Sequence, residues 1–584
     1  MSIVALSEGT CWLAAERPVA VIDAFKHSEI LPALAEVERA AQRGRTAVGF
    51  VAYEAAHGLD KAFPQAQAGL PLVWFGLYDH VVIASSASLF HMSLGRLKSS
   101  LPPSLAWQPT LNEPAYRRAL QRIHDYIAAG DVYQVNYTFR LRAPFEGDPQ
   151  TLFMQLYHAQ PVPYAAYLDM GDCALLSLSP ELFFQLEGGR IVSRPMKGTA
   201  PRGRTVAEDL QQAQSLPSSE KNRAENLMIV DMVRNDLGRI ARTGTVSVPR
   251  IFEVERYATL WQMTSTVEAE TDAPLPEIFR ALFPAASITG APKIRAAQII
   301  HELEATPRGV YTGAIGVVLP NRRAQFNVAI RTLVFDRAKE RLEYGVGSGI
   351  VWDSDQRAEY EECLAKAQVI LKPRPKFELL ETILWRPRRG YFLLEKHLQR
   401  LQRSAEYFGY KWDGAMVQDL LRNAPFPDGG DAVLPACAYR VRLLLNCDGK
   451  AQVECAPLEP KPRNWRVALA PEPVDTRDVF LYHKTTNRTI YERARASCPD
   501  CDDVILWNTL GEITESTIAN VVVRLHGKLY TPPVSCGLLG GVYREYILER
   551  GWIEERVITI DELRQAEAIY LINSLRGRVR AQLC

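Results

Sequence analysis

The sequence predicts a mixed α/β protein of the α+β type, built as a first domain over residues 1–372, a linker at 373–376 and a second domain over 377–584. Three observations carry that expectation. A chain of 584 residues is too long for one hydrophobic core. Short strand-like runs alternate with segments of helical period throughout the first 372 residues. The run Lys372-Pro373-Arg374-Pro375-Lys376 then places two prolines around one base, which ends a helix and suits a short stiff connection. Behind it, Phe377 to Leu384 reads as a new apolar strand ending at the turn Arg388-Arg389-Gly390. A softer boundary within the first domain falls near Pro102-Pro103 and Pro109.

Composition narrows the function classes. A net charge of +1 gives no electrostatic reason to bind nucleic acid or an anionic membrane. No apolar run is long enough to span a bilayer. Glu8 and Glu16 interrupt the start, which therefore does not read as a signal peptide, and a cytoplasmic protein is expected. The ten cysteines are scattered, so no disulfide framework is expected. Cys498 and Cys501 have CxxC spacing but no accompanying second pair or histidine cluster, and read as two reduced thiols in a turn.

The runs Leu182–Leu186 and Arg190–Arg194 flank Glu187-Gly188-Gly189, a hairpin turn. Counting outward from the glycines places Glu181 and Lys197 almost equally far along the two arms, as cross-strand neighbours. The hairpin alone favours a simple edge salt bridge. The following Ala224–Asp231 stretch is helical by period and sets Glu225 on the face of Met228, Ile229 and Met232. A glutamate on an apolar stripe requires a partner such as a metal or another cation. Glu359 and Glu362 lie one helical turn apart, and Lys366 stands four residues beyond Glu362 for a surface ion pair. Converging carboxylates would instead make a Mg²⁺ site. Ser287–Lys293 reads as a helix opening with a proline near its start, able to bind an anion. Gly345-Val346-Gly347-Ser348-Gly349 could offer backbone amides to a carboxylate.

Taken in order, these segments resemble the chorismate-binding enzymes, which include anthranilate synthase component I, aminodeoxychorismate synthase component I and the isochorismate and salicylate synthases. The likeness runs from Ala52-Tyr53-Glu54 to Lys372, through Gly130–Asn136, Ser179-Pro180-Glu181, Ala224–Asp236, Ser287–Lys293, Ala329–Thr332 and the Glu359/Glu362 helix. It implies large antiparallel sheets packed as a sandwich with outer helices. Relatives that add water carry lysine where this chain has Gln134, and anthranilate synthases carry alanine where it has Lys197. The resemblance thus implies amination of chorismate at C4, with Glu181 as general acid and Lys197 as nucleophile. Glu225, Glu359 and Glu362 would hold Mg²⁺. Gln134, Thr289, Tyr311, Arg331, Gly347 and Gly349 would bind the substrate. Gln262 stands where many relatives have a histidine, which agrees with a reaction that stops short of pyruvate loss.

The second domain carries Lys396–Leu401, His483–Arg488, Gly511–Asn520 and Gly537–Arg544. In this order they resemble the fold-type IV pyridoxal-phosphate enzymes, the class IV aminotransferases and aminodeoxychorismate lyase, over 377–584. That implies two α/β subdomains and a homodimer formed through this domain. Lys484 would form the Schiff base, Glu515 would pair with the pyridine nitrogen, and Arg400 would hold the phosphate. The amides of Thr517, Ile518, Gly541 and Val542 would complete the phosphate cup. The pairing implies synthesis of 4-aminobenzoate, with pyruvate elimination as the second step. The alternative is an aminating domain fused to a D-amino-acid or branched-chain transaminase. No segment resembles a glutamine amidotransferase, so ammonia is expected from a separate subunit.

Overall fold

In the first unit, strands such as Thr46–Val51 and Val73–Tyr78 are buried at every position, which requires cover on both faces of their sheet. The computed structural model describes residues 1–6, 11–66, 69–85, 105–371, 375–426, 437–459 and 464–584. Lys372, Pro373, Arg374 and Pro102-Pro103 lie outside the described residues.

The described chain divides into two compact units, one of Met1–Pro201 with Ala213–Arg374, the other of Arg202–Gln212 with Pro375–Cys584. The first unit holds two ten-stranded sheets, all of whose pairings are antiparallel. Val4, Leu13, Leu168 and Leu175 of one sheet meet Val48, Phe50, Ile315 and Val317 of the other in a core between the layers. A second core joins one sheet to the helices Ile30–Gln42, Glu220–Gly238 and Leu275–Leu282. A third joins the other sheet to Glu113–Ala128, Pro149–Ala159, Lys293–Leu303 and Gln356–Leu371. The result is a sandwich of two sheets with outer helices.

The second unit has a four-stranded antiparallel sheet covered by the helices Leu394–Phe408 and Gly414–Arg422, and an eight-stranded mixed sheet. Gly409 takes the left-handed conformation that ends the first of these helices (φ +75°). Residues 202–212 join this unit rather than the first, a departure from the simple break at 372. Tyr407 explains part of it: its hydroxyl donates to the Gly203 carbonyl (2.7 Å), and the buried Arg202–Asp209 pair donates on to the Tyr407 carbonyl (2.8 Å).

Candidate active sites

Leu182–Glu187 pairs with Arg190–Arg194 as the hairpin predicts. The arm continues past Pro195 as Met196–Pro201, and both segments pair with Leu260–Glu270 in one register from Ser193–Val267 to Met196–Thr264, which shifts only beyond Met196. Proline has no amide of its own for the ladder, but its carbonyl accepts from the Ser265 amide (3.2 Å). Glu181 and Lys197 meet, because Glu181 interacts electrostatically with Lys197 and accepts from the Met196 amide.

Glu181 is buried (3% exposed). Burial pushes its carboxyl up to about 7, against the opposing pull of the Ser287 hydroxyl, Lys197 and the Met196 amide. Burial also holds the Lys197 amine below the usual lysine range, and Lys366 adds to that effect while Glu225, Glu181 and Glu362 oppose it. A carboxyl raised towards neutrality and an amine held below the usual lysine range therefore stand together.

Gln134 opens the strand Gln134–Pro144 and is 1% exposed, with its side-chain oxygen buried and unpartnered among the described residues. Gly349 faces it: a Cβ there would stand 2.2 Å from the Gln134 amide nitrogen and 3.1 Å from the Lys197 amine. Gly345 likewise leaves room for the Tyr311 ring, which a Cβ would meet at 2.3 Å. These glycines lie within the strand Arg341–Ile350, not in an open loop. It pairs with Gln134–Pro144 along its whole length and with its other neighbour only up to Tyr344, so the edge beyond is unpaired by strand. Lys366 donates to the Gly347 carbonyl on that stretch (3.2 Å).

Two expected substrate contacts differ in state. The Thr289 hydroxyl already donates to the Ala285 carbonyl (3.0 Å), and Ser287–Ala291 is a tight turn and short strand, the helix beginning only at Lys293. Lys293 itself is paired with Asp236 (2.6 Å). Arg331 is the opposite case. It takes a left-handed backbone (φ +50°), one guanidinium nitrogen is buried without a partner, and among the described residues it makes no ion pair. Burial lowers its pKa, with only the Tyr344 and Tyr257 hydroxyls to counter it. A buried guanidinium without an anion is costly unless a ligand supplies one.

Glu225 lies on the helix Glu220–Gly238, and Glu359 and Glu362 on Gln356–Leu371. Burial raises the Glu225 carboxyl, and Glu359 and Glu362 add repulsion against Lys197 and Lys221. Burial would raise Glu362 too, but Lys366 at 2.7 Å holds it below the usual range, so that ion pair forms. Glu359 accepts from the Ser354 hydroxyl (2.7 Å). Among the described residues no three His, Cys, Asp or Glu side chains stand close enough to hold an ion together. The donor chemistry nevertheless fits Mg²⁺, which takes a few carboxylate oxygens and completes its shell with water and substrate. A cation here would relieve the repulsion among the three glutamates.

In the second unit a cavity of about 690 Å³ brings Lys484, Glu515, Arg400, Thr517, Ile518, Gly541 and Val542 together. Burial, with Arg400 and Arg488, lowers the Lys484 amine to about 8. Burial raises Glu515 to about 7; Tyr491 donates to one of its oxygens (2.7 Å), and among the described residues only Asn520, at 3.5 Å, approaches the other. That oxygen can accept from a protonated ring nitrogen. A Cβ at Gly541 would stand 1.9 Å from the Asn520 side chain, so glycine is required there. The Thr517 amide is corrected as a phosphate ligand: it already donates to the Val504 carbonyl (3.1 Å) and to Asp503 (3.2 Å). The remaining set fits pyridoxal phosphate in size and donor chemistry.

Sequence reasoning missed what holds Arg400. It binds Glu381 through two nitrogens (2.8 and 2.7 Å) and the Gly540 carbonyl through a third (3.2 Å), leaving donors for a phosphate. Glu381 is 1% exposed and also accepts from His397 Nδ1 (2.6 Å). Against the effect of burial, Arg400 and His397 lower Glu381 to about 2. A glutamate in an otherwise apolar strand was the available signal. Its pKa is depressed on folding, so its stabilisation is full above about 4.5 and is lost as pH falls towards 2. Glu381→Gln should destabilise this unit by about 3 kcal/mol or more, measured by denaturant unfolding, and weaken pyridoxal phosphate retention on dialysis.

The chain belongs to the chorismate binding enzymes, whose family model matches residues 7–372, and residues 378–584 match the model of the class IV amino-transferases. It is 40% identical over 326 residues to aminodeoxychorismate synthase component 1 of Salmonella typhimurium, covering 54% of this chain and 71% of that protein. It is also 41% identical over 269 residues to anthranilate synthase component 1 of Thermus thermophilus, covering 46% of this chain and 58% of that one. The crystal structure of anthranilate synthase component I from Streptococcus pneumoniae TIGR4 aligns with a TM-score of 0.54 and 25% identity over 62% of this chain and 92% of that one. Such similar identities leave the choice of reaction to the residues at the site. No described helix is long and apolar enough to cross a membrane.

Proposed function

We propose that this chain makes 4-aminobenzoate from chorismate in two steps, amination at C4 in the first unit and elimination of pyruvate in the second. The observation that carries the first step is the desolvated Lys197 amine beside Glu181, with Gln134 across from it at Gly349. Glu181, protonated, gives its proton to the C4 hydroxyl, which leaves as water. Lys197 attacks C2 as the ring double bond shifts, forming a C–N bond. Ammonia then bonds to C4, the double bond returns and the C2–Lys197 bond breaks. Arg331 supplies a fixed cation for a substrate carboxylate, aided by Tyr311. Mg²⁺ held by Glu225 and Glu362, with Glu359 beside them, would neutralise the ring carboxylate. Ammonia comes from a separate glutamine amidotransferase subunit.

In the second unit pyridoxal phosphate supplies an electron sink when bound to Lys484. Glu515 would keep the ring nitrogen protonated, and Arg400 with the Gly541–Val542 turn would hold the phosphate. Lys484 would remove the C4 proton of 4-amino-4-deoxychorismate, the ring C–O bond to the enolpyruvyl group would break, and the departing enolate would take up a proton as pyruvate while the ring becomes aromatic. Supplying chorismate, ammonia, Mg²⁺ and pyridoxal phosphate should yield 4-aminobenzoate and pyruvate in equal amounts. Accumulation of aminodeoxychorismate alone, alongside amino-group exchange between an amino acid and a keto acid, would favour a transaminase instead.

Glu181 also sets an expected pH dependence. At a fixed concentration of free ammonia, kcat/KM for chorismate should be bell-shaped in pH, because it requires Glu181 protonated and Lys197 neutral, and should fall about tenfold per pH unit once both groups have lost their protons. A rate that rises with pH to a plateau and shows no alkaline fall would remove Glu181 from that role.

A further inference from the structure

Six cationic side chains line the cavity around Lys484, namely Arg400, Arg440, Arg442, Lys484, Arg488 and Arg576, against the two carboxylates of Glu459 and Glu515. Most of them are committed. Arg400 is bound to Glu381, Arg442 pairs with Glu454 (3.1 Å), and Arg488 donates to the Thr517 carbonyl and lies over the Tyr491 ring. Arg440 has no ion pair or hydrogen bond among the described residues. Arg576 uses one nitrogen on the Glu459 carbonyl (3.1 Å), and burial and Arg440 hold its guanidinium below the usual range against the opposing Glu459 carboxylate. Arg440, on the strand Tyr439–Leu445, and Arg576, in the turn before Gly577–Leu583, thus line one cavity with like charges. Among the described residues only Arg576 has a carboxylate to oppose them, so a further anion would stabilise the pair.

Their place along the sheet says which anion. Lys484 is tied to the strand Leu379–Arg386, because its carbonyl accepts from the Leu380 amide (3.0 Å). On the same face Thr382 pairs with Arg442, and Leu384 with Arg440. Four residues of extended chain separate Leu380 from Leu384, about 13 Å. An α-amino acid carries its carboxylate one carbon from the reacting amine, too close to Lys484 to reach that far. A six-membered ring with its carboxylate opposite the amine carries that charge further along the cavity, towards the end lined by Arg440 and Arg576.

We propose that Arg440 and Arg576 form a carboxylate clamp that selects, for the Lys484 site, a cyclic amine bearing its carboxylate on the opposite side of the ring. This rests on the reading of Lys484 as the pyridoxal-phosphate lysine. The clamp acts on the ring carboxylate of aminodeoxychorismate and discriminates against amino acids with apolar side chains.

The test uses the full chain loaded with pyridoxal phosphate, comparing wild type with Arg440→Gln, Arg576→Gln and Arg440→Lys. With purified aminodeoxychorismate, KM should rise at least about tenfold in both glutamine variants, more than kcat falls, and Arg440→Lys should keep part of the affinity. Cofactor content and visible spectrum should match wild type, which separates the clamp from a fold defect. An unchanged KM in both glutamine variants overturns it. If the wild-type chain yields no 4-aminobenzoate, the lyase reading fails by itself. The clamp is then decided by titrating 4-aminobenzoate, whose carboxylate lies opposite its amine, against the visible absorbance of the bound cofactor. Weaker binding in both glutamine variants sustains it, and equal binding removes it.

Discussion

Replacing Lys197 by alanine should lower the amination of chorismate by about 10²- to 10⁴-fold, the range lost with a positioned catalytic group. Conversion of supplied aminodeoxychorismate to 4-aminobenzoate should continue at the wild-type rate, because Lys197 belongs to the first unit. The size of the loss follows from the environment of the amine. Burial and Lys366 depress its pKa, which favours the neutral, nucleophilic form, while Glu181 nearby, raised to about 7, can supply the proton the departing hydroxyl needs. Alanine leaves that acid with no nucleophile. Rapid acid quench of the wild-type reaction without ammonia should trap one chorismate, less water, on the peptide bearing Lys197. An unaffected amination rate in the alanine variant would remove the covalent route and leave direct attack by ammonia.

The second large effect is expected at Lys484. Lys484→Ala should leave amination intact and stop the aromatic product, with aminodeoxychorismate accumulating in its place. The lysine has two tasks in the proposed reaction, carrying the cofactor and moving the C4 proton, so the loss should exceed about 10³-fold. Its amine, lowered to about 8 by burial, Arg400 and Arg488, is suited to both tasks near neutral pH. Liquid chromatography of the products from chorismate and ammonia separates the two steps in one experiment. Continued 4-aminobenzoate formation at the wild-type rate would break the assignment of elimination to this unit.

The two lysine variants together test the division of the chain. If the steps are separate, mixing Lys197→Ala with Lys484→Ala should restore 4-aminobenzoate through free aminodeoxychorismate.

Much of the chemistry was legible in the residues. Acid, lysine and paired glutamates recur in short motifs because reacting groups must be of a given type, and type is written in the sequence. The same holds for Lys484 with Glu515. Helical period placed Glu225 with Ile229, which the Glu220–Gly238 helix bears out. Partner choice was not legible. Glu381 and Arg400 are nineteen residues apart, and only the packing of the Leu394–Phe408 helix on its sheet brings them to 2.7 Å.

By itself the sequence determined the two-part architecture, the β-rich character of the first part and the residue types at both sites. Those depend on local period, turn chemistry and side-chain identity, which act over a few residues. The tertiary structure decided which of these groups are free to act. It committed the Thr517 amide to Val504, left Arg331 without an ion pair among the described residues, and buried Lys197 on the continuing hairpin arm beside Glu181. It also drew residues 202–212 into the second unit and set Arg440 against Arg576. Hydrogen bonding and desolvation are sums over neighbours distant in the chain, so burial and pairing, and with them the reactivity of each lysine, appear only once the sheets have packed.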